Sequence, residues 1–114
     1  MIDSHTHYFN FTNSKKSYDW AKENNEFYWF DLIHPKNKKS LQGWPLNQEV
    51  ICNMKAANID KIIFLGWYWQ NKKSCLIHNE SIAESMRANP DKFLGFASVL
   101  PDRNVIDHLN EAKD

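Results

Sequence analysis

Two histidines separated by one residue, His5 and His7, follow the short opening Met1-Ile2-Asp3. In an extended strand successive side chains point to opposite faces, so positions 3, 5 and 7 are expected to share a face, with the two imidazoles roughly 6.5 to 7 Å apart along it. Zinc–imidazole bonds of about 2.0 to 2.1 Å allow rings so placed to converge on one ion, which adjacent strand histidines could not do. The chemistry on offer is therefore divalent-metal binding. A plain His-Thr-His at a solvated strand end is the competing interpretation, and the motif alone does not separate the two. The surrounding elements must.

Downstream the apolar pattern alternates between two periods. Asn47 to Asn58 carries a helical stripe at Val50, Ile51, Met54 and Ala57, with Asn47 as a cap and Asn58 as a left-handed stop. Lys61 to Gly66 is short, branched and continuously apolar, as a strand buried on both faces is. Ser74 is placed to cap a second helix with Leu76, Ile82, Ala83 and Met86 on its core side, which Pro90 ends. Phe93 to Leu100 reads as a third buried strand, and Val105, Ile106, Leu109 and Ala112 begin a further helical stripe. Strand and helix alternating, with apolar strands, predict an α/β fold with a parallel sheet on right-handed crossovers. Ligands bind such sheets at the carboxyl ends of the strands. His5 and His7, then Trp67, Tyr68 and Trp69, then Ser98 to Pro101 all fall at such ends and are expected around one mouth.

The first connection, residues 8–46, runs to about forty positions where typical strand-to-helix loops have 2 to 6. It holds Trp20, Phe27, Tyr28, Trp29, Phe30 and Trp44, too many rings for a solvated linker, and Tyr18 to Asn25 has the pattern of a short helix. Two descriptions fit and are compatible: a satellite core under a surface excursion, or a lid lining the mouth. Trp67, Trp69, Trp44 and Tyr28 are the substrate-pocket candidates. On a strand continuation Trp67 and Trp69 share a face and Tyr68 takes the other.

The chain of 114 residues, 42% hydrophobic and 25% charged, has the composition of one ordinary domain. Its 14 basic and 14 acidic residues cancel, and its lysine pairs are scattered, so nothing favours nucleic acid or an anionic membrane as partner. The longest apolar run is far below the ~18 residues of a membrane span, and the opening lacks a signal-peptide pattern, so a cytoplasmic location is expected. Cys52 and Cys75 form no CxxC and are expected to be reduced packing residues. His78 and His108, on helices, are expected at the surface or half-buried, and His34 lies in the long connection before Pro35.

Met1-Ile-Asp-Ser-His-Thr-His7, with Met54 to Trp67 (MKAANIDKIIFLGW) and Asn89 to Val99 (NPDKFLGFASV), resembles the beginning of an amidohydrolase-related metal-dependent hydrolase, in particular the group that also contains aminocarboxymuconate-semialdehyde decarboxylase. The resemblance covers nearly the whole chain and is far more specific than HxH alone. It implies the first three βα units of a TIM-type (β/α)8 barrel, with His5 and His7 as ligands of a divalent ion, usually zinc. It implies metal-assisted hydrolysis of a carbonyl-type substrate, or a related decarboxylation, on a small molecule. The family's later ligands, a histidine after the fifth strand, often another after the sixth, and a proton-accepting aspartate after the eighth, have no counterpart in these residues.

The expectation is thus an N-terminal portion, residues 1–114 as one partial domain, incomplete for catalysis by itself. Catalytic zinc normally keeps three protein ligands, so two should hold it weakly. Three βα units would leave two open strand edges and an uncovered sheet face, which invite self-association or association with the remaining barrel. A non-catalytic α/β binding or assembly module is the alternative from another class. A metal-dependent nuclease of the same superfamily is a second, disfavoured by the neutral charge.

Overall fold

Lys61–Leu65 forms the central strand, β2, because a short run of branched and aromatic side chains satisfies a strand flanked on both edges. Ile2–His7 (β1) and Phe93–Gly95 (β3) pair with it on either side, both parallel, giving the order β1-β2-β3. In this computed structural model, residues 1–9, 14–36, 38–39 and 43–113 are described. Among them five helices accompany the sheet: α1 (Ser14–Asn24), α2 (Phe27–Ile33), α3 (Asn47–Ala56), α4 (Lys72–Ala88) and α5 (Val105–Lys113). The fold is α/β, a three-stranded parallel sheet in a βα succession. No helix among the described residues is long and apolar enough to cross a membrane.

One sheet face is sealed by helices. Ile62, Phe64 and Phe93 pack against Val50, Ile51 and Met54 of α3 and Ile82 of α4, with Tyr8 stacked on Phe64 at 4.7 Å between ring centroids. Gly95 lets β3 and α4 meet: a Cβ there would lie 2.3 Å from Ile82 Cγ2 and 3.0 Å from Met86 Sδ. The other face carries Ile63, half-buried, beside Leu94, its register partner, and among the described residues is left largely open, with Leu94 and Phe96 both exposed.

Several expectations are corrected. Within residues 8–46 the short helix expected over Tyr18 to Asn25 is present as α1, which begins earlier, at Ser14, whereas α2 is an addition, and the satellite core expected there forms. The rings of this connection build that second core, in which Phe9, Ala21, Trp29 and Ile33 pack against Trp69 and Cys75, because an aromatic-rich excursion must bury its apolar area somewhere. Part of that stretch, residues 10–13, 37 and 40–42, lies outside the described residues. The excursion is anchored by Glu26, fully buried between α1 and α2. Its carboxylate accepts the backbone N–H groups of Gln70 (2.9 Å) and Asn71 (3.1 Å) and the Asn71 side-chain amide (3.0 Å). It thereby satisfies donors at the start of α4, where a negative charge is favoured.

That helix begins at Lys72 with Asn71 at its cap, three residues before the expected cap Ser74, which is buried inside it. Likewise Asn47 is the first residue of α3 and Leu46 its cap; the Leu46 N–H is taken by Glu49 at 2.7 Å. Asn58 does stop α3 in the left-handed conformation, φ 55°, and Asn25 does the same after α1. The third strand ends at Gly95 rather than running to Leu100. His78 and His108 are buried, not surface residues: α4 is covered by the second core, and α5 turns His108 inward, 3.8 Å from the Asp102 carboxylate. Cys75 is a buried packing residue, whereas Cys52 is exposed; both are free thiols.

Candidate functional site

Parallel pairing brings the exits of all three strands to one side, and an open cavity of about 540 Å³ lies there. His5 and His7 line it, with Gly66, Trp67, Trp69 and Ser98 among its other walls. The three stretches expected around one mouth do meet. The imidazoles of His5 and His7 stand edge to face, 5.2 Å between centroids.

The two rings share a face, but Asp3 does not join them. Asp3 pairs with Ile62 and Thr6 with Phe64, so β1 spends one residue more than β2 between these points, a bulge that moves Asp3 to the helix-covered side. The Asp3 carboxylate instead accepts the backbone N–H of His5 at 3.1 Å, occupying the irregular stretch. Strict alternation in the sequence could not reveal a bulge, because nothing in Ser4 or His5 marks one.

His7 is held on two sides. Its ring stacks on Trp67 at 4.4 Å, and its Nδ1 lies 3.1 Å from the Gly66 carbonyl oxygen. A carbonyl only accepts, so Nδ1–H is the donor, and the neutral ring in this tautomer carries its lone pair on Nε2, the arrangement a metal-ligating imidazole needs. Behind it, His78 donates Nε2–H to the carbonyl of Tyr8 at 2.6 Å, fixing the backbone one residue beyond His7. Burial pushes the His78 pKa down to about 4, so the ring is neutral. Tyr8, whose hydroxyl donates to Asn47 Oδ1 at 2.6 Å, is pushed up to about 12 by burial and stays protonated. Burial likewise raises the Cys75 thiol, which makes it unreactive.

Of the substrate-pocket candidates, Trp67 and Trp69 line the cavity, and each also packs in the second core, with Trp29 ring centroids at 6.3 and 5.1 Å respectively. The excursion therefore supports the cavity wall from behind. Tyr68 also reaches the rim and is 78% exposed. Trp44 packs in the second core and Tyr28 is exposed; neither is among the described residues lining the cavity. His34 lies at the end of α2 against Phe30, 4.6 Å between centroids, away from the pair. Among the described residues no group of three or more His, Cys, Asp or Glu side chains is placed to hold a metal ion. Gly66 and Asn79 contribute to the site without a sequence signal beyond Gly66 following an apolar strand; Asn79 is one of several polar residues on α4.

No protein-family model, curated protein or solved structure matches this chain.

Proposed function

We propose that this chain carries the first-strand part of the metal site of an amidohydrolase-related (β/α)8 hydrolase, with His5 and His7 as two ligands of a divalent ion, zinc foremost. The observation that carries this function is the convergence of the two rings at the exit side of a parallel sheet, with His7 Nδ1 committed to Gly66 and Nε2 left free. The consecutive strand order and the motifs around Gly66 and Gly95 support the barrel assignment. Zinc at such a position would polarise a carbonyl and lower the pKa of water, the chemistry common to hydrolysis and to the related decarboxylations. Trp67 and Trp69 offer an apolar wall for a small-molecule substrate, stiffened by the second core. With two ligands in these residues the ion is held weakly, and turnover requires ligands and a proton acceptor from elsewhere.

The uncovered sheet face gives the chain a surface through which to associate with itself or with further βα units of the barrel. Two free thiols, one of them exposed, fit a cytoplasmic setting.

Calorimetric titration with zinc chloride tests the site. Binding at micromolar level, lost in His5→Ala and in His7→Ala, is expected; binding that survives both substitutions, or no binding at all, would sink it and leave the non-catalytic α/β module.

A further inference from the structure

The structure assigns Asn79 and Ser98 as positioning residues that set the ring orientation and tautomer of His7 from two elements away. In the neutral ring, the proton of His7 is held on Nδ1, and the lone pair on Nε2, by the Gly66 carbonyl oxygen 3.1 Å from Nδ1. Gly66 follows the last residue of β2, so the strand ladder alone does not hold it there. What holds this exit is the segment after β3. Ser98 Oγ–H donates to the Trp67 carbonyl at 3.2 Å, one residue beyond Gly66. The two segments also touch: a Cβ on residue 66 would fall 1.7 Å from Ser98 Oγ and 2.9 Å from Ser98 Cβ, so only glycine permits the approach.

Ser98 is itself clamped. Its N–H donates to Asn79 Oδ1 at 2.8 Å, and its carbonyl accepts Asn79 Nδ2–H at 2.9 Å, a two-point pairing of one side-chain amide with both backbone groups of one residue. Asn79 adjoins His78, which holds the Tyr8 carbonyl at 2.6 Å. Consecutive residues of α4 thus brace the exits of β1 and β3, and Ser98 passes the constraint to the exit of β2. Had the order of contacts stopped at packing, the Gly66 carbonyl could rotate away and His7 would be free to carry its proton on Nε2, where it blocks a ligand bond.

This role deepens the metal-site assignment in its consequence for affinity, but the tautomer can be read without any metal. Nitrogen NMR of the imidazoles in the metal-free full chain, at alkaline pH, separates the two forms. Wild type is expected to show His7 protonated on Nδ1. Ser98→Ala, which removes only the hydroxyl, and Asn79→Asp, which keeps the acceptor and loses the donor, are expected to shift His7 toward the Nε2–H form. His78 should keep its signature in both, marking an intact fold. Zinc affinity is expected to fall roughly tenfold in each, as for other outer partners of metal-binding histidines. A His7 signal on Nδ1 in both variants, or on Nε2 already in wild type, overturns the proposal. Should Asn79→Asp lose the His78 signature and so the fold, Ser98→Ala decides alone. Failure of wild type to bind zinc would defeat the metal site while leaving the tautomer comparison to judge the brace.

Discussion

At the scale of single residues, two buried polar side chains do what no surface residue here could. His78 is neutral in the fold because burial lowers its pKa from 6.5 to about 4. The unfolded chain therefore takes up a proton between those values and the native state does not. Stability is complete above about pH 6.5 and falls as the pH drops toward 4, a loss of about 3 kcal/mol for this one group. Chemical denaturation across that window should show the slope in wild type and a much flatter dependence in His78→Gln; equal slopes would remove His78 as the cause. Glu26 answers a different need, since Gln70 and Asn71 turn their backbone donors onto its buried carboxylate in a part-buried position. Glu26→Ala leaves those donors unpaired and is expected to destabilise by about 3 kcal/mol. Glu26→Gln, which keeps one acceptor, should cost about half as much. Urea unfolding midpoints give both numbers.

Among elements, α4 carries the most responsibility. Its apolar side closes the main core through Ile82, its Cys75 face meets the second core, and His78 and Asn79 reach the strand exits. Its distance from β3 is set by the missing side chain at Gly95. Gly95→Ala is expected to cost about 2 kcal/mol by forcing Ile82 off its position, and thermal unfolding should register it. The bulge in β1 matters at this scale too, for it moves Asp3 off the histidine face while leaving His5 and His7 together.

For the whole molecule, the sheet is finished on one side only. Ile63 and Leu94 stand next to each other on the face without helices, and Phe96 beyond them is 62% exposed. Apolar area of that kind, beside two strand edges that pair with no other described strand, favours association. Size-exclusion chromatography with light scattering should find concentration-dependent oligomers, reduced in Phe96→Asp; a monomer at all concentrations would contradict this. Much of this architecture was legible in advance, because it depends on local periodicity. The α/β class, the parallel sheet and the convergence of residues 5, 7, 67 and 98 on one mouth follow from strands that are apolar throughout alternating with helical stripes, and parallel strands must share an exit side. The helix α2 within residues 8–46, the burial of His78 and His108, the bulge after Asp3 and the Asn79–Ser98 clamp were not. Each depends on which distant segment fills the neighbouring space, and a polar residue on a helix has the same local pattern whether water or a backbone carbonyl meets it. The chain's own order of residues determined that two imidazoles would stand together at a strand exit. Only the tertiary packing decided how one of them is turned, because the carbonyl that orients it belongs to a strand far along the chain and is held by a third.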